Sequence, residues 1–441
     1  MKNVLLIFIS LFCSISLFAQ DKLKTQIEGI IKSIEDEHFE TYKYLHAHPE
    51  VSLMEFETAK KMASHLEGMG FEVTQNFGGN SVVGVLENGS GPVIMLRTDM
   101  DALPIKEETG LSYASTVVME DAAGNQVPAM HACGHDMHMT VWLGTLKTMA
   151  LLKNEWSGTV IAIAQQAEEV SGGANRMIEA GLFQEFPVPD YALAYHVNPE
   201  LPAGSIGYYP GPIFGGVSSV DIHIYGYGGH GAMPHTTIDP VVLASRIVLA
   251  IQTLVSREIE PVQPAVVTVG SIHGGSKHNV IPNQVDLQLT VRFFSDEVYQ
   301  QIIKGLERIT RGIALSAGLS EKLLPEVITL EGITPPVEND PGLVNKGVLS
   351  MEKMLGANSM HEVNPSTVGE DFGKYGRTPE KVPIALFWLG GVEKEKYLDH
   401  INNDTALPGL HNAAFHPEFF PTFRGGVAAM SRTMIDLFSE E

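Results

Sequence analysis

The sequence predicts an α/β protein of two domains, one built on a mostly parallel central sheet and the other inserted into it. Three observations carry this reading. The chain has 441 residues, more than a single ordinary core holds. Thr159–Gln166 and Pro383–Gly390 are continuous apolar runs of the kind buried on both faces of a parallel sheet. Between them, residues 214–331 give strand and helix signals in the order βαββαβ, the split unit of ferredoxin-like domains. That leaves residues 20–213 and 332–441 for the larger domain.

The first residues differ in kind from the rest. Lys2 gives a short basic start, and Val4–Phe18 is an apolar run of 15 residues broken only by serines. It is shorter than the ~20 residues that span a bilayer. With the small Ala19 behind it, residues 1–19 read as a secretory signal peptide. Phe12 before Cys13 is too bulky for lipoprotein processing. The expectation is therefore an exported protein, periplasmic or secreted, with no stable membrane anchor after cleavage. The chain has 2 cysteines, and loss of Cys13 leaves Cys133 without an internal partner. A net charge of −23 argues against nucleic acid or an anionic membrane surface as partner. Hydrophobic residues at 44% and charged residues at 18% describe an ordinary globular chain.

Residues 21–70 look helical, with Ile27, Ile30, Ile31 and Ile34 on one face and Thr58–Gly68 continuing the pattern. His46-Ala47-His48-Pro49 is a bend, because Pro49 disfavours helix before it, and its histidines read as structural. Strands follow at Ser81–Leu86 and Pro92–Arg97, the second running into Arg97-Thr98-Asp99-Met100-Asp101-Ala102-Leu103-Pro104. Asp99 and Asp101 are two apart, so both carboxylates can face one side. One of them could orient a metal-bound imidazole; a solvated loop capping the next helix is the alternative.

Met130–His138 is the densest stretch, with three histidines, a cysteine and an aspartate in nine residues. Such ligands suit zinc or a first-row neighbour. Cys133 and His135, with Gly134 between them, read as a turn that aims both ligands one way before a helix over Met137–Leu152. Thr159–Gln166 then ends near Glu168-Glu169. On extended backbone adjacent side chains diverge, so one carboxylate can bind metal and the other act as general base. Tyr191–His196 again places an apolar strand before a candidate ligand. Residues 202–216 look like a linker.

The inserted segment reads as strand Val217–Tyr225, helix Asp239–Glu258, strands Ala265–His273 and Gln284–Phe294, helix Asp296–Ala317 and strand Glu326–Leu330. Its loops Gly228–His235 and His278–Pro282 place His230 and Asn279 where substrate contacts concentrate, and Arg292 sits late on a strand. Two more histidines, His411 and His416, lie on a loop before the helix Gly425–Phe438.

Together these stretches resemble the M20 family of metallopeptidases, in the subgroup that includes hippurate hydrolases, N-acyl-amino-acid deacylases and plant auxin-conjugate hydrolases. The resemblance runs from about residue 30 to the end. It is carried by Arg97–Pro104, Met130–His138, Gly228–His235 with Asp239-Pro240, and Asn279-Val280-Ile281-Pro282. It implies two divalent metal ions per subunit (Zn, Mn, Co or Ni), held by Cys133, His135, Glu169, His196 and His411. It implies Glu168 as general acid and base, Asp99 beside the metal ligands, and a lid whose His230 and Asn279 hold the substrate carbonyl or carboxylate, in some members from a partner subunit. Arg292 would pair with the substrate carboxylate. The inserted domain would mediate a homodimer. His411 is preferred over His416 on its Leu-His-Asn context. Gln166-Ala167 before the glutamates and Tyr195 before His196 depart from the usual Pro-Ala and Leu.

The expected activity is hydrolysis of the amide bond of an N-acyl amino acid. The alternatives are a carboxypeptidase or dipeptidase using the same site, and a binding protein on a hydrolase scaffold. A Cys133 thiol hydrolase lacks a nucleophile motif.

Overall fold

The computed structural model describes side chains for residues 22–330 and 332–439 and backbone from Lys2, so the expected signal sequence lies outside the fully described residues. The chain divides into two compact units. The first comprises Met1–Gly211, Glu338–Asn364 and Lys374–Glu441, and the second Pro212–Val337 with Pro365–Gly373. The divisions thus fall outside residues 214–331, and the short stretch 365–373 belongs with the second unit.

The first unit is built on an eight-stranded sheet. Its centre is four mutually parallel strands in the order Gly158–Gln165, Val93–Asp99, Tyr191–Pro202 and Ile384–Val392. Every residue of Ile384–Val392 is buried, and so are seven of the eight in Gly158–Gln165, which is why both read as unbroken apolar runs. Val82–Asn88 extends the sheet antiparallel beyond Gly158–Gln165. The helices Lys2–Ala47, His135–Leu151, Pro341–Leu355 and Phe419–Phe438 pack together and bury Ile27, Leu143, Leu146, Phe423 and Met434. His135–Leu151 is buried nearly all round. Gly144 permits this, because a Cβ there would lie 2.7 Å from Phe423 and Val427.

Three expectations change here. The supposed linker 202–216 contains Ile206–Tyr208, a strand of the central sheet between Ile384–Val392 and Met360–Glu362; the five glycines and three prolines of that stretch mask so short a strand. The strand holding His196 continues to Pro202, so this histidine lies within it. Glu168 and Glu169 are not on extended backbone. The strand ends at Gln165, and Ala167 adopts a positive φ of 54° that throws the chain into a turn.

The second unit is a four-stranded antiparallel sheet in the order Ala265–Gly274, Gln284–Phe293, Gly216–Tyr225, Glu326–Thr329. In chain terms this is second, third, first, fourth, the ferredoxin-like order that βαββαβ implies. Helices Pro240–Thr253 and Asp296–Ser316 cover one face, burying Ile247, Ile251, Ile302 and Leu306 on Val220, Ile222, Leu287 and Leu289. Asp239 caps the first helix through the Val241 N–H at 2.8 Å, with Pro240 behind it, and Ser295 caps the second.

Candidate metal centre

The site of the first unit forms where the parallel strands end, the edge at which open α/β sheets hold ligands. Gly134 has a left-handed φ of 82° and a Cβ there would meet only ordinary contacts, so backbone conformation rather than space requires glycine. The turn delivers Cys133 and His135 to one side, and His135 opens the helix. The Cys133 Sγ lies 3.5 Å from His196 Nε2. Ligand atoms of Cys133, His135 and His196 lie within 4.8 Å of one another, as do those of Cys133, Glu169 and His411, and those of His135, Glu168 and Glu169. The overlapping sets gather the five candidate ligands and Glu168 into one cluster. Because the turn at Ala167 replaces a strand, both glutamates face His135 rather than diverging.

Hydrogen bonds fix which ring nitrogen each histidine presents. His135 Nδ1 sits 2.7 Å from the Asp101 carbonyl oxygen, which can only accept, so Nδ1 carries the proton and Nε2 faces the cluster. His196 Nδ1 is likewise tied to the Val197 carbonyl at 2.9 Å, leaving Nε2 towards Cys133. His138 differs. Its Nδ1 donates to Asp99 Oδ1 at 2.7 Å and its Nε2 accepts the Val197 N–H at 2.7 Å, so both nitrogens are used and the ring is a strut. His411 has a φ of 61°, donates its N–H to the Ala132 carbonyl, and brings Nε2 to 3.4 Å from Glu169 Oε2. That carboxylate raises its pKa. His416 lies instead in a small recess with Lys396, Phe415 and Leu407, where burial lowers its pKa.

Asp99 is held by the Arg97 guanidinium at 2.7 Å and by His138, and stands 3.9 Å from His135 Nε2. Although burial opposes it, His135, His138 and Arg97 hold the Asp99 carboxyl well below the usual carboxylate range. The His135 ring is oriented by Asp101. That residue also accepts the Glu169 N–H at 3.0 Å and the Ser52 hydroxyl at 2.6 Å. The Asp99/Asp101 spacing pointed to this pair, but nothing in the sequence picked out Ser52.

The donor set fits a cation. Three buried carboxylates (Asp99, Asp101, Glu168) and the partly buried Glu169 gather here, and the Arg97 guanidinium pairs with Asp99. Burial pulls the His135 pKa down, yet Asp99, Asp101 and Glu169 raise it to about 10. His135 Nε2 and Glu169 Oε1 are buried with no hydrogen-bond partner among the described residues, which suits atoms that bind a cation. Burial, with Glu169, Glu168 and Asp99, pushes the Cys133 thiol well up. A thiol so held is a poor nucleophile, while a soft cation would draw off its proton.

The family model for peptidase family M20/M25/M40 matches residues 95–413. The chain belongs to this family. Among its M20-type relatives, it is 36% identical over 369 residues to the N-acetyldiaminopimelate deacetylase of Limosilactobacillus reuteri, covering 82% of this chain and 92% of that one. It is 36% identical to the N-acetylcysteine deacetylase of Bacillus subtilis, over 80% of this chain and 88% of that one. It is 32% identical to thermostable carboxypeptidase 1 of Saccharolobus solfataricus, over 85% and 91%. A dinuclear metal-binding M20 peptidase of Bacillus subtilis superposes with a TM-score of 0.75 at 29% identity, covering 92% of this chain and 99% of that one. The protein is a metal-dependent amidohydrolase with the mixed α/β fold of M20 enzymes.

The remaining M20 motif residues lie in the second unit. Gly229-His230 pairs antiparallel with Val280-Ile281, and the Gly231 N–H donates to the Asn279 carbonyl at 2.9 Å, which sets His230 beside Asn279. The Ala232 N–H donates to His230 Nδ1 at 3.0 Å, so the neutral ring presents Nε2–H as a donor. Arg292 is elsewhere in the unit. It lies eight residues beyond Gln284 on one strand, ~27 Å at the usual rise, and donates to the Thr367 carbonyl at 3.1 Å.

Proposed function

We propose that the protein hydrolyses N-acyl amino acids to a carboxylic acid and a free amino acid. The observation that carries this is the adjacent pair Glu168 and Glu169 beside His135, with thiol and imidazole donors converging on them. Cys133, His135, Glu169, His196 and His411 would hold two divalent ions, of Zn, Mn, Co or Ni. Bound there, such ions supply Lewis acidity towards water and the scissile carbonyl. Glu169 and His411 are linked and serve ligation, which leaves Glu168 to take the proton from the attacking water and return it to the departing amine. Asp99, clamped by Arg97 and His138, keeps fixed negative charge behind the histidines. His230, presenting Nε2–H, suits a donor to the developing oxyanion, with Asn279 beside it. Arg292 suits a substrate carboxylate, and in a dimer His230 would come from a partner subunit.

The two deacetylase relatives act on different acetylated amino acids by name, which favours a small acyl group over a peptide. The carboxypeptidase relative keeps cleavage of unblocked dipeptides as the second reading. A homodimer through the second unit is part of the proposal. The strand Ala265–Gly274 pairs on one side only among the described residues, with Val266 and Ile272 exposed, and the neighbouring helix exposes Val242 and Leu249. That helix is apolar enough for a membrane span by composition, but its Leu243, Ile247 and Ile251 are buried on the sheet. Export by a cleaved segment ending near Ala19 completes the reading.

The test takes chain lacking residues 1–19, counts bound metal, and assays N-acyl amino acids and dipeptides before and after chelation. About two ions per chain and chelator-sensitive release of amino acid from the acyl substrates are expected. Turnover of dipeptides alone would establish the second reading, and metal without any turnover would refute both.

A further inference from the structure

Glu55 belongs to none of the motifs above, yet its side chain is fully buried against the turn that carries the glutamate pair. Its Oε1 accepts the Ala167 N–H at 2.7 Å, across 112 residues of sequence, and the Leu53 N–H at 3.0 Å. Its Oε2 accepts from the Asn80 side-chain amide at 3.3 Å. All three partners are donors, so a carboxylate satisfies them where an amide side chain would turn its own NH₂ towards one of them.

Ala167 is the hinge of the turn. Its φ of 54° lies in a region that residues with a Cβ rarely occupy, and such a conformation persists only where the surroundings over-determine it. Here they do. The Gln166 N–H donates to the Ser81 hydroxyl at 3.1 Å, and the Ala167 carbonyl accepts from Gly172 and Gly173 at 3.1 Å each. Gly173 leaves no room for a side chain, since a Cβ would fall 1.8 Å from the Gln166 carbonyl oxygen. Beyond the hinge, the Glu169 N–H is bonded to Asp101. The Ala167 peptide, immediately before Glu168, is held by Glu55.

We propose that Glu55 is a positioning residue for the general base: by fixing the Ala167 N–H it sets the direction in which Glu168 leaves the turn. This rests on the reading of Glu168 as the proton shuttle. None of the three hydrogen-bond partners of the Glu55 carboxyl is a candidate ligand, so its effect is on orientation. The Glu169 N–H keeps its own partner when Glu55 is removed, so metal binding and proton transfer should separate.

The experiment compares full-length mature chain, metal-loaded, as wild type, Glu55→Ala, Glu55→Gln, Asn80→Ala and Glu168→Gln. It reads kcat, KM, bound metal, and hydrogen exchange of the peptide spanning residues 166–173. Glu55→Ala is expected to lower kcat ~10–100-fold, the scale of an ångström-sized misplacement, with KM and metal count held. Exchange at 166–173 should quicken while 158–165 stays protected. Glu55→Gln keeps one acceptor oxygen and should recover most of kcat; Asn80→Ala should give a smaller loss of the same kind. If Glu55→Ala does not fold, Asn80→Ala and the exchange of residues 166–173 carry the test. Wild-type kcat in Glu55→Ala, or in Asn80→Ala where Glu55→Ala does not fold, or a fall in kcat that tracks metal loss, overturns the proposal. Full activity of Glu168→Gln would instead overturn the shuttle reading, and the proposal with it.

Discussion

His46 gives the sharpest prediction about stability. Its ring bridges two buried carboxylates, with Nδ1 2.7 Å from Asp136 Oδ2 and Nε2 2.9 Å from Glu107 Oε1. Both nitrogens face acceptors, so the ring is held as a cation. Burial alone would lower its pKa, but Asp136 and Glu107 raise it from 6.5 to about 9. That rise of about 2.5 units is worth ~3 kcal/mol at 1.36 kcal/mol per unit. Because the folded pKa lies above the unfolded one, the contribution is fully present below about pH 6.5 and lost as pH rises through 9. The assay is urea unfolding of wild type and His46→Asn between pH 6 and pH 9.5 at fixed metal loading. Wild type should lose ~3 kcal/mol across that window, and the neutral variant should be less stable at pH 6 but nearly flat. Equal slopes in the two proteins would show that His46 is not the charged bridge between Asp136 and Glu107.

Other outcomes follow from the same geometry. Glu168→Gln should cut kcat ~10²–10⁴-fold while bound metal is unchanged; activity within a few-fold of wild type would remove Glu168 from the proton path. Cys133→Ser trades a soft donor for a hard one, so metal content after dialysis should drop while melting of the apo form barely moves; full retention would place the thiol outside the cluster. Gly134→Ala meets no clash, only the left-handed φ of 82°, and should cost ~1 kcal/mol with reduced activity. A larger loss of stability would mean that the turn tolerates no adjustment.

What could be read from the sequence follows the range of the interaction responsible. The helix and strand order, including the ferredoxin-like unit, depends on periodicity and turn residues close together in the chain, and the structure reproduces it. Cys133 and His135 share a local turn, so their convergence was also legible. The glutamate pair shows the limit. Its extended reading failed because the backbone at Ala167 is set by Glu55 and Ser81, which no window around residue 168 contains, as well as by the nearby Gly173. Nothing in the spacing of Met130–His138 separated a ligand histidine from a strut, either. His138 is excluded only by Asp99 from one strand and the Val197 amide from another.

These long-range bonds share one design. Buried carboxylates hold backbone amides and an imidazole: Glu55 on Ala167, Asp101 on Glu169, Asp99 on His138. A buried carboxylate accepts strong hydrogen bonds but is costly to desolvate. The cost is lessened where positive charge is close, as Arg97 is to Asp99. Asp101 has the His135 ring 3.4 Å away, whereas Glu55 has no cation among its hydrogen-bond partners, and burial, with the Asp101 charge nearby, raises its pKa to about 8. An acidic frame of this kind loses like-charge repulsion when a divalent ion enters, so metal binding should tighten the frame as well as fill the centre. Melting temperature measured against added metal separates the two effects. A rise that saturates with the first equivalents, together with slowed hydrogen exchange at residues 51–55 and 166–173, is expected. A rise without any change in exchange at those segments would confine the ion's influence to its own ligands.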